Sequence, residues 1–314
     1  MLTLAGVAAA SPKAGSAQLV RQEYTEAHMG VGVRIVLYAP DDVLARRAAR
    51  AAYARIADLE YRMSDHRSDG ELRRLTGEAV GKWTIVERHL FAVLQRAVEI
   101  ARRSDGAFDP TVGPYVRLWR AAQTSGEPPS PEALESAAAR VGWDKVRLDG
   151  TLRAVRLAVP GMVLDLGGIA KGYILDAARS AMEPLGVTSV LIEAGGDIVV
   201  GDAPPDRPGW RIEVPGADSA FAAAAASLSH AAISTSGDTE QFATIDGRRY
   251  SQVVDPHTGL ELTNRVIATV IAPDGMTADA LATALTVLGV EEGEKFAMEF
   301  SGIVVSVRRR GADF

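Results

Sequence analysis

Apolar residues follow two different rhythms along this chain. The run Val31–Tyr38 (VGVRIVLY) is β-branched and apolar, bounded by Gly30 and by Pro40-Asp41-Asp42, and predicts a strand. Asp41 or Asp42 then caps a helix over Val43–Tyr61, with Leu44, Ala48, Ala51, Ile56 and Leu59 as candidates for its apolar face. A polar loop over 64–70 leads to a short helix at Glu71–Thr76. Leu90, Val93, Leu94, Ala97, Ile100 and Ala101 give Glu87–Arg103 helical spacing. The prolines of Gln123–Pro131 deny that stretch a place in helix or sheet, and Glu132–Val141 reads as helix again.

Beyond residue 145 the rhythm changes. Val146–Leu148 and Ala154–Ala158 predict short strands, Met162–Leu166 a buried strand, and Ile169–Leu185 a helix. Strands are expected at Ser189–Glu193, at Trp210–Val214, and in the Ala-Ala-Ile-Ser run that ends the Ala-rich stretch 215–232. Arg249–Val254 and Val266–Ala272 are two more, Thr277–Gly289 is a helix, and Ile303–Arg308 closes the chain as a strand. Strands and helices mix without the steady alternation of a doubly wound sheet. The predicted class is therefore α+β, one compact unit divisible at most into two lobes. Folding signals begin near Tyr24, so residues 1–23 are expected to be a flexible tail or signal-peptide remnant and residues 24–314 the folded domain.

Composition narrows the function. A chain of 314 residues with 47% hydrophobic and 24% charged residues has enough apolar surface to offset ordering entropy, which excludes a disordered chain. The balance of 34 Lys+Arg against 40 Asp+Glu shows no basic surplus, so nucleic acid is not an expected partner. The absence of cysteine excludes disulfides, thiolate metal sites and cysteine nucleophiles. No stretch approaches the roughly 20 apolar residues of a membrane helix. Met1–Ala10 is apolar and Ser11–Gln18 small and polar, with Gly15 and Ala17 spaced as in a small-x-small cleavage site. That pattern predicts export; a frayed Ala-rich tail in a cytoplasmic protein is the alternative.

Several short runs concentrate chemistry. In Leu164–Tyr173 (LDLGGIAKGY) a buried strand meets Gly167-Gly168 and then opens a helix with Lys171 in its first turn. Glycines let a ligand approach backbone, a helix N-terminus offers unpaired N–H groups to an anion, and a lysine adds a point charge. The spacing matches neither a Walker A loop nor G-x-G-x-x-G, so phosphate binding and a plain strand-to-helix turn both stand. Asp279 and Thr283 lie four apart on one helix face, where a carboxylate and a hydroxyl can share a hard cation such as Mg²⁺. Helix capping by Asp279 is the alternative. Corners at 106–114 (GAFDPTVGP), 193–197 (EAGGD), 234–238 (STSGD) and 255–259 (DPHTG) are denser in hydroxyls and carboxylates than turns require. His28, His66, His89, His230 and His257 include no i, i+4 pair, which argues against a helical zinc site.

In their order these runs resemble one family. Met29-Gly30, residues 61–75 (YRMSDHRSDGELRRL), 108–114 with Leu118-Trp119, 165–173, 193–197, 235–238, 250–259 and 278–285 are similar to successive motifs of the ApbE family of FAD:protein FMN transferases. The resemblance covers about residues 24–305 and implies an ApbE-like, mixed-sheet α+β fold. It implies an enzyme that binds FAD and a divalent cation, usually Mg²⁺, and moves the FMN half to a threonine hydroxyl of a target protein, releasing AMP. Metal ligands are implied at the Ala170 carbonyl and at the side chains of Asp279 and Thr283. FAD contacts are implied at Met29, Ala107, Phe108, Asp109, Gly167, Lys171, Tyr173 and the backbone around Val253. The adenine end is then expected near Phe108-Asp109 and the pyrophosphate at Gly167–Lys171. The implied target is a flavin-carrying subunit of a membrane redox system, met in the periplasm. A metal-dependent FAD pyrophosphatase and a flavin-binding protein without turnover are the alternative readings.

One departure bears on mechanism. The family usually has a histidine two or three residues before the Asp-Pro corner, where this chain has Ser251-Gln252. A glutamine cannot take a proton near neutral pH. Proton acceptance then falls to His257 or to Asp279, or transfer is weak, and the residues expected to carry catalysis are Asp279, Lys171 and His257.

Overall fold

The computed structural model describes residues 18–237, 242–245 and 248–310. Residues 1–17, on which the export expectation rests, lie outside them. The chain opens with β1 (Val20–His28), β2 (Val31–Ala39), α1 (Asp42–Met63), α2 (Glu71–Glu78), β3 (Thr84–Ile85) and α3 (Arg88–Arg103). There follow α4 (Gly113–Ser125), α5 (Pro131–Ala138), β4 (Val146–Asp149), β5 (Ala154–Leu157), α6 (Ala170–Met182), β6 (Val190–Ala194) and β7 (Asp197–Val200). The last third holds α7 (Ser219–Ala225), β8 (Ala231–Gly237), β9 (Phe242–Ile245), β10 (Arg248–Ser251), β11 (Val266–Ala272), α8 (Gly275–Ala297) and β12 (Val304–Arg309).

The main sheet runs β1-β2-β6-β7-β8-β11-β12. The α+β class is the one expected, but each of these pairings is antiparallel rather than mixed. Antiparallel neighbours accept two-residue turns, and Met29-Gly30 and Gly195-Gly196 supply them with positive φ. Strand alternation then splits the apolar residues between two faces. Val33, Ile35 and Leu37 of β2, Val190 and Ile192 of β6, and Val266, Ala268 and Val270 of β11 join the main core with α1, α6 and α8. Val36, Leu191, Ile233 and Ile271 point the other way, against Trp210, Phe221 and Ala225 of the α7 region. A third apolar cluster, built from Tyr115 and Trp119 of α4, Ala137 of α5, Ile245 and Val254, forms a small second lobe.

Several local expectations change. Residues 20–23 belong to β1, so the sheet begins ahead of Tyr24: the polar Arg21, Gln22 and Glu23 mask a strand whose ladder partners are 36–39. Met162–Leu166 buries its apolar side chains but forms no strand: Val163 makes only an isolated bridge to Val112. Trp210–Val214 is likewise no strand; Trp210 bridges Leu228 and leans on α7, a helix inside the stretch 215–232. Helix α4, which the sequence reading passes over, follows Pro114 at its first turn and ends at Gly126 in the left-handed conformation. Helix α8 runs past Gly289, where φ of 81° breaks it into two segments.

Candidate active site

A cavity of about 890 Å³ opens where the main core meets the second lobe. That size lies toward the upper end of ligand pockets, which run from about 300 to 1,000 Å³. Its floor is the crossing of α6 and α8. A Cβ on Gly172 would sit 1.9 Å from the Gly275 carbonyl oxygen, and one on Gly275 would sit 2.4 Å from the Gly172 oxygen. Only two glycines allow the helix starts to approach this closely. The contact sets the Asp279 carboxylate on the opening turn of α6, where its Oδ2 accepts the Gly172 N–H at 3.1 Å. Thr283, one turn on, faces the Gly168 carbonyl at 3.4 Å, and both side chains line the cavity with Ala170.

The charge arrangement here differs from the expectation. Lys171 lines the cavity, but its ammonium is bound by Asp197, a buried carboxylate at the start of β7 that also accepts the Ser234 hydroxyl. The opening N–H groups of α6 are likewise taken by Asp279. Both features read as phosphate grips in the sequence therefore already hold carboxylates. Burial first, and the nearby Asp197 second, push the Asp279 carboxyl well above the ordinary carboxylate range, while Lys171 opposes the shift. One lysine thus faces two buried acids, and a bound pyrophosphate would add further negative charge. A divalent cation on Asp279, Thr283 and the Ala170 carbonyl would balance it. That donor set is all oxygen and leaves positions for water or phosphate, which suits Mg²⁺. Among the described residues no cluster of three His, Cys, Asp or Glu side chains offers an alternative metal site.

The remaining expected residues divide. Met29, Ala107, Phe108, Asp109, Gly167 and Val253 all line the cavity. Met29 adopts φ of 52°, with its N–H held by Glu60 of α1. Phe108 packs over Gly168. Asp109 faces inward into its own loop: Oδ1 takes the Thr111 N–H and hydroxyl, and Oδ2 takes the Trp143 N–H. It shapes the corner more than it offers a free ligand atom. Tyr173 does not reach the cavity. Lys171 and Ile174 share the inward face of α6, and Tyr173, a 100° step off it, hydrogen-bonds His89 of α3 at 2.6 Å. His257 also stays off the wall; its side chain is 56% exposed and its Nε2 donates to the Asp105 carbonyl at 2.8 Å. The Asp255 turn that holds its backbone aims the ring outward.

Two other wall residues, Arg120 and Glu261, go unmarked by the sequence patterns. Arg120 of α4 pairs with Asp65 at 2.6 Å and approaches Asp165 at 3.7 Å. Gln252 lies on the same wall as Glu261, a residue only 5% exposed whose Oε2 has no hydrogen-bond partner among the described residues. Burial alone raises the Glu261 carboxyl to about 7. No spacing rule marks Glu261, because its partner Val254 is found only across a bridge.

Comparison with known proteins places the chain in a family. The ApbE family model matches residues 29–306, nearly the whole described chain. The chain belongs to the ApbE family. Its relatives include a protein of Treponema pallidum named FAD:protein FMN transferase, 32% identical over 301 residues, covering 90% of this chain and 83% of the relative. One of that name from Vibrio cholerae is 32% identical over 243 residues, 76% of this chain and 72% of the relative. Among solved structures, the apo flavinyl transferase ApbE of Pseudomonas stutzeri superposes with a TM-score of 0.79 at 29% identity, covering 94% of this chain and 93% of that one. The ApbE protein of Thermotoga maritima gives 0.80 at 29% identity, with coverages of 92% and 97%.

Proposed function

We propose that this ApbE-family chain transfers the FMN half of FAD to a threonine hydroxyl of a target protein, with release of AMP and dependence on Mg²⁺. The observation that carries the reading is the meeting of Asp279 and Thr283 with the opening turn of α6 inside a cavity large enough for a dinucleotide. The names borne by its relatives support FAD as substrate and flavin as the group moved. The cation, held by Asp279, Thr283 and the Ala170 carbonyl, would supply charge neutralisation and Lewis acidity at the pyrophosphate. Asp197 holds Lys171 against the wall and keeps one positive charge fixed beside the acids. Phe108 adds a flat apolar surface and Arg120 a guanidinium to the cavity wall. The α6–α8 contact fixes the distance between these groups before substrate arrives, so little reorganisation is left for the reaction.

The proposed acceptor is a flavin-carrying subunit of a membrane redox system, met outside the cytoplasm. Incubation with FAD and Mg²⁺, with and without a threonine-bearing target fragment, tests the reading. Flavin fluorescence retained by the target on a denaturing gel, together with stoichiometric AMP, is the expected result. AMP release that ignores the target would replace transfer by hydrolysis. No AMP under either condition would leave a flavin-binding protein.

A further inference from the structure

The transfer step needs a proton acceptor, and the wall of the cavity supplies one outside the residues discussed for this role. Attack on phosphorus breaks the O–H bond of the incoming hydroxyl, forms an O–P bond, and expels AMP with the electron pair of the broken P–O bond. The released proton must reach a group with an unengaged lone pair. Gln252 has none that is basic near neutral pH. Each of the other wall carboxylates accepts a hydrogen bond on at least one oxygen. Glu60 takes the Met29 N–H, Asp65 takes Arg120, Asp109 uses both oxygens within its loop, Asp165 takes the Gly167 N–H, and Asp279 takes the Gly172 N–H. Among the described residues, Glu261 is the carboxylate with a buried oxygen, Oε2, that has no hydrogen-bond partner.

Its position is built. Backbone bonds Leu262 N–H to Val253 carbonyl and Asp255 N–H to Leu260 carbonyl, both 2.9 Å, clamp residue 261 opposite Val254. The strip that carries Gln252, Val253 and Val254 along the cavity therefore also carries Glu261. Nine-tenths and more of the residue is buried, and Oε2 finds no donor. Leaving a buried carboxyl oxygen unpaired is costly, so such a group calls for a partner that arrives with a ligand. We propose that Glu261 is the catalytic base of this enzyme: its carboxylate accepts the proton of the incoming hydroxyl, the task Gln252 cannot perform. The assignment rests on the transfer reading above. Burial also moves the titration of Glu261 to about 7, which matches the basicity a general base needs near neutral pH. Tyr115, Arg120, Tyr250 and Asp255 stand on the segments packed around it, and none of them offsets that burial.

The test uses the full chain with FAD, Mg²⁺ and a threonine-bearing target fragment. Glu261→Gln should lower kcat for flavin transfer by about 10²–10⁴-fold, the usual contribution of a general base, while FAD affinity read by flavin fluorescence stays within about twofold. The wild-type rate should rise with pH through a limb near 7, as the carboxylate forms, and the variant should lack that limb. Adding Gln252→His to Glu261→Gln should recover at least tenfold, because an imidazole then stands on the same strip. A ¹³C-carboxyl NMR titration of the free protein gives a readout apart from turnover, with Glu261 expected near 7 rather than near the ordinary value of about 4.3. Undiminished transfer in Glu261→Gln overturns the assignment and leaves the transfer reading intact. Equal losses in kcat and FAD affinity, without rescue by Gln252→His, overturn it in favour of a packing role. A wild-type enzyme that labels no target overturns the transfer reading, and the assignment with it.

Discussion

Asp279 stands under three influences: burial that disfavours its charge, Asp197 that repels it, and the α6 N–H groups with Lys171 that favour its charge without outweighing the other two. A cation would add to the last group. Asp279→Ala should therefore remove Mg²⁺ dependence and lower turnover by on the order of 10²-fold or more, since several kcal/mol of charge stabilisation leave with the metal. Thr283→Ala should weaken Mg²⁺ affinity less, because a hydroxyl contributes a dipole and no charge. Titrating Mg²⁺ against activity in both variants checks the order. Lys171 tests the other half of the cluster. Lys171→Met leaves Asp197 buried without its cation and should lower stability by about 1–3 kcal/mol in urea unfolding, whether or not FAD is present. A Lys171 that served only as a phosphate grip would lose FAD affinity with no change in stability.

At the scale of elements, the start of α8 decides where Asp279 points. Asp274 caps it through the Thr277 N–H at 2.8 Å, and Asp176 of α6 accepts the Gly275 and Met276 N–H groups from the side. Burial raises the Asp176 carboxyl to about 6. The folded protein then binds this proton more tightly than the unfolded chain, so the stability that Asp176 contributes is complete below about pH 4 and declines as pH rises to 6. The stability of Asp176→Asn relative to wild type should therefore improve across that window in thermal unfolding, and a flat difference would contradict the shift. Gly172→Ala should be severe although its side chain would touch no ligand. The new methyl meets the Gly275 carbonyl, so either α6 or α8 must move, costing about 1–3 kcal/mol and most of the Mg²⁺-dependent activity. The residues of these elements were readable from spacing: Asp279 and Thr283 from the helical repeat, the paired glycines from their run. Their partners were not. Nothing in a local window says that Gly172 meets Gly275, that Lys171 is taken by Asp197, or that Tyr173 turns away to His89. Those contacts join α6 to α8, β7 and α3, elements that no local window brings together, and the apolar side chains at Met162 and Trp210 reflect burial and not strand pairing.

For the whole molecule, the α+β class followed from the changing rhythm of apolar residues, whereas strand order did not, because β1, β2, β6, β7, β8, β11 and β12 assemble across long intervening segments. The sheet ends in β1 and β12, whose exposed positions carry Arg21, Glu23, Glu26 and Arg309, charges that discourage further strands from pairing there. A chain beginning at Gln18 keeps the described sheet entire. One beginning at Tyr24 loses the part of β1 that pairs with residues 36–39 and should melt lower, by about 2–4 °C for each kcal/mol lost. Calorimetry of the two chains measures it. The bond from the Gly172 N–H to Asp279 spans 107 positions and has a consequence in time as well as in space. Contacts between distant positions wait for the chain segments between them to be ordered. The proposed cation site is therefore expected to form after β6, β7, β8 and β11 have found one another. Mg²⁺ should then leave the refolding rate almost unchanged and slow unfolding instead, as ligands that favour only the finished state do. Stopped-flow refolding and unfolding with and without Mg²⁺ would show the asymmetry, and faster refolding with the ion would mean that the helix crossing forms early and guides the sheet.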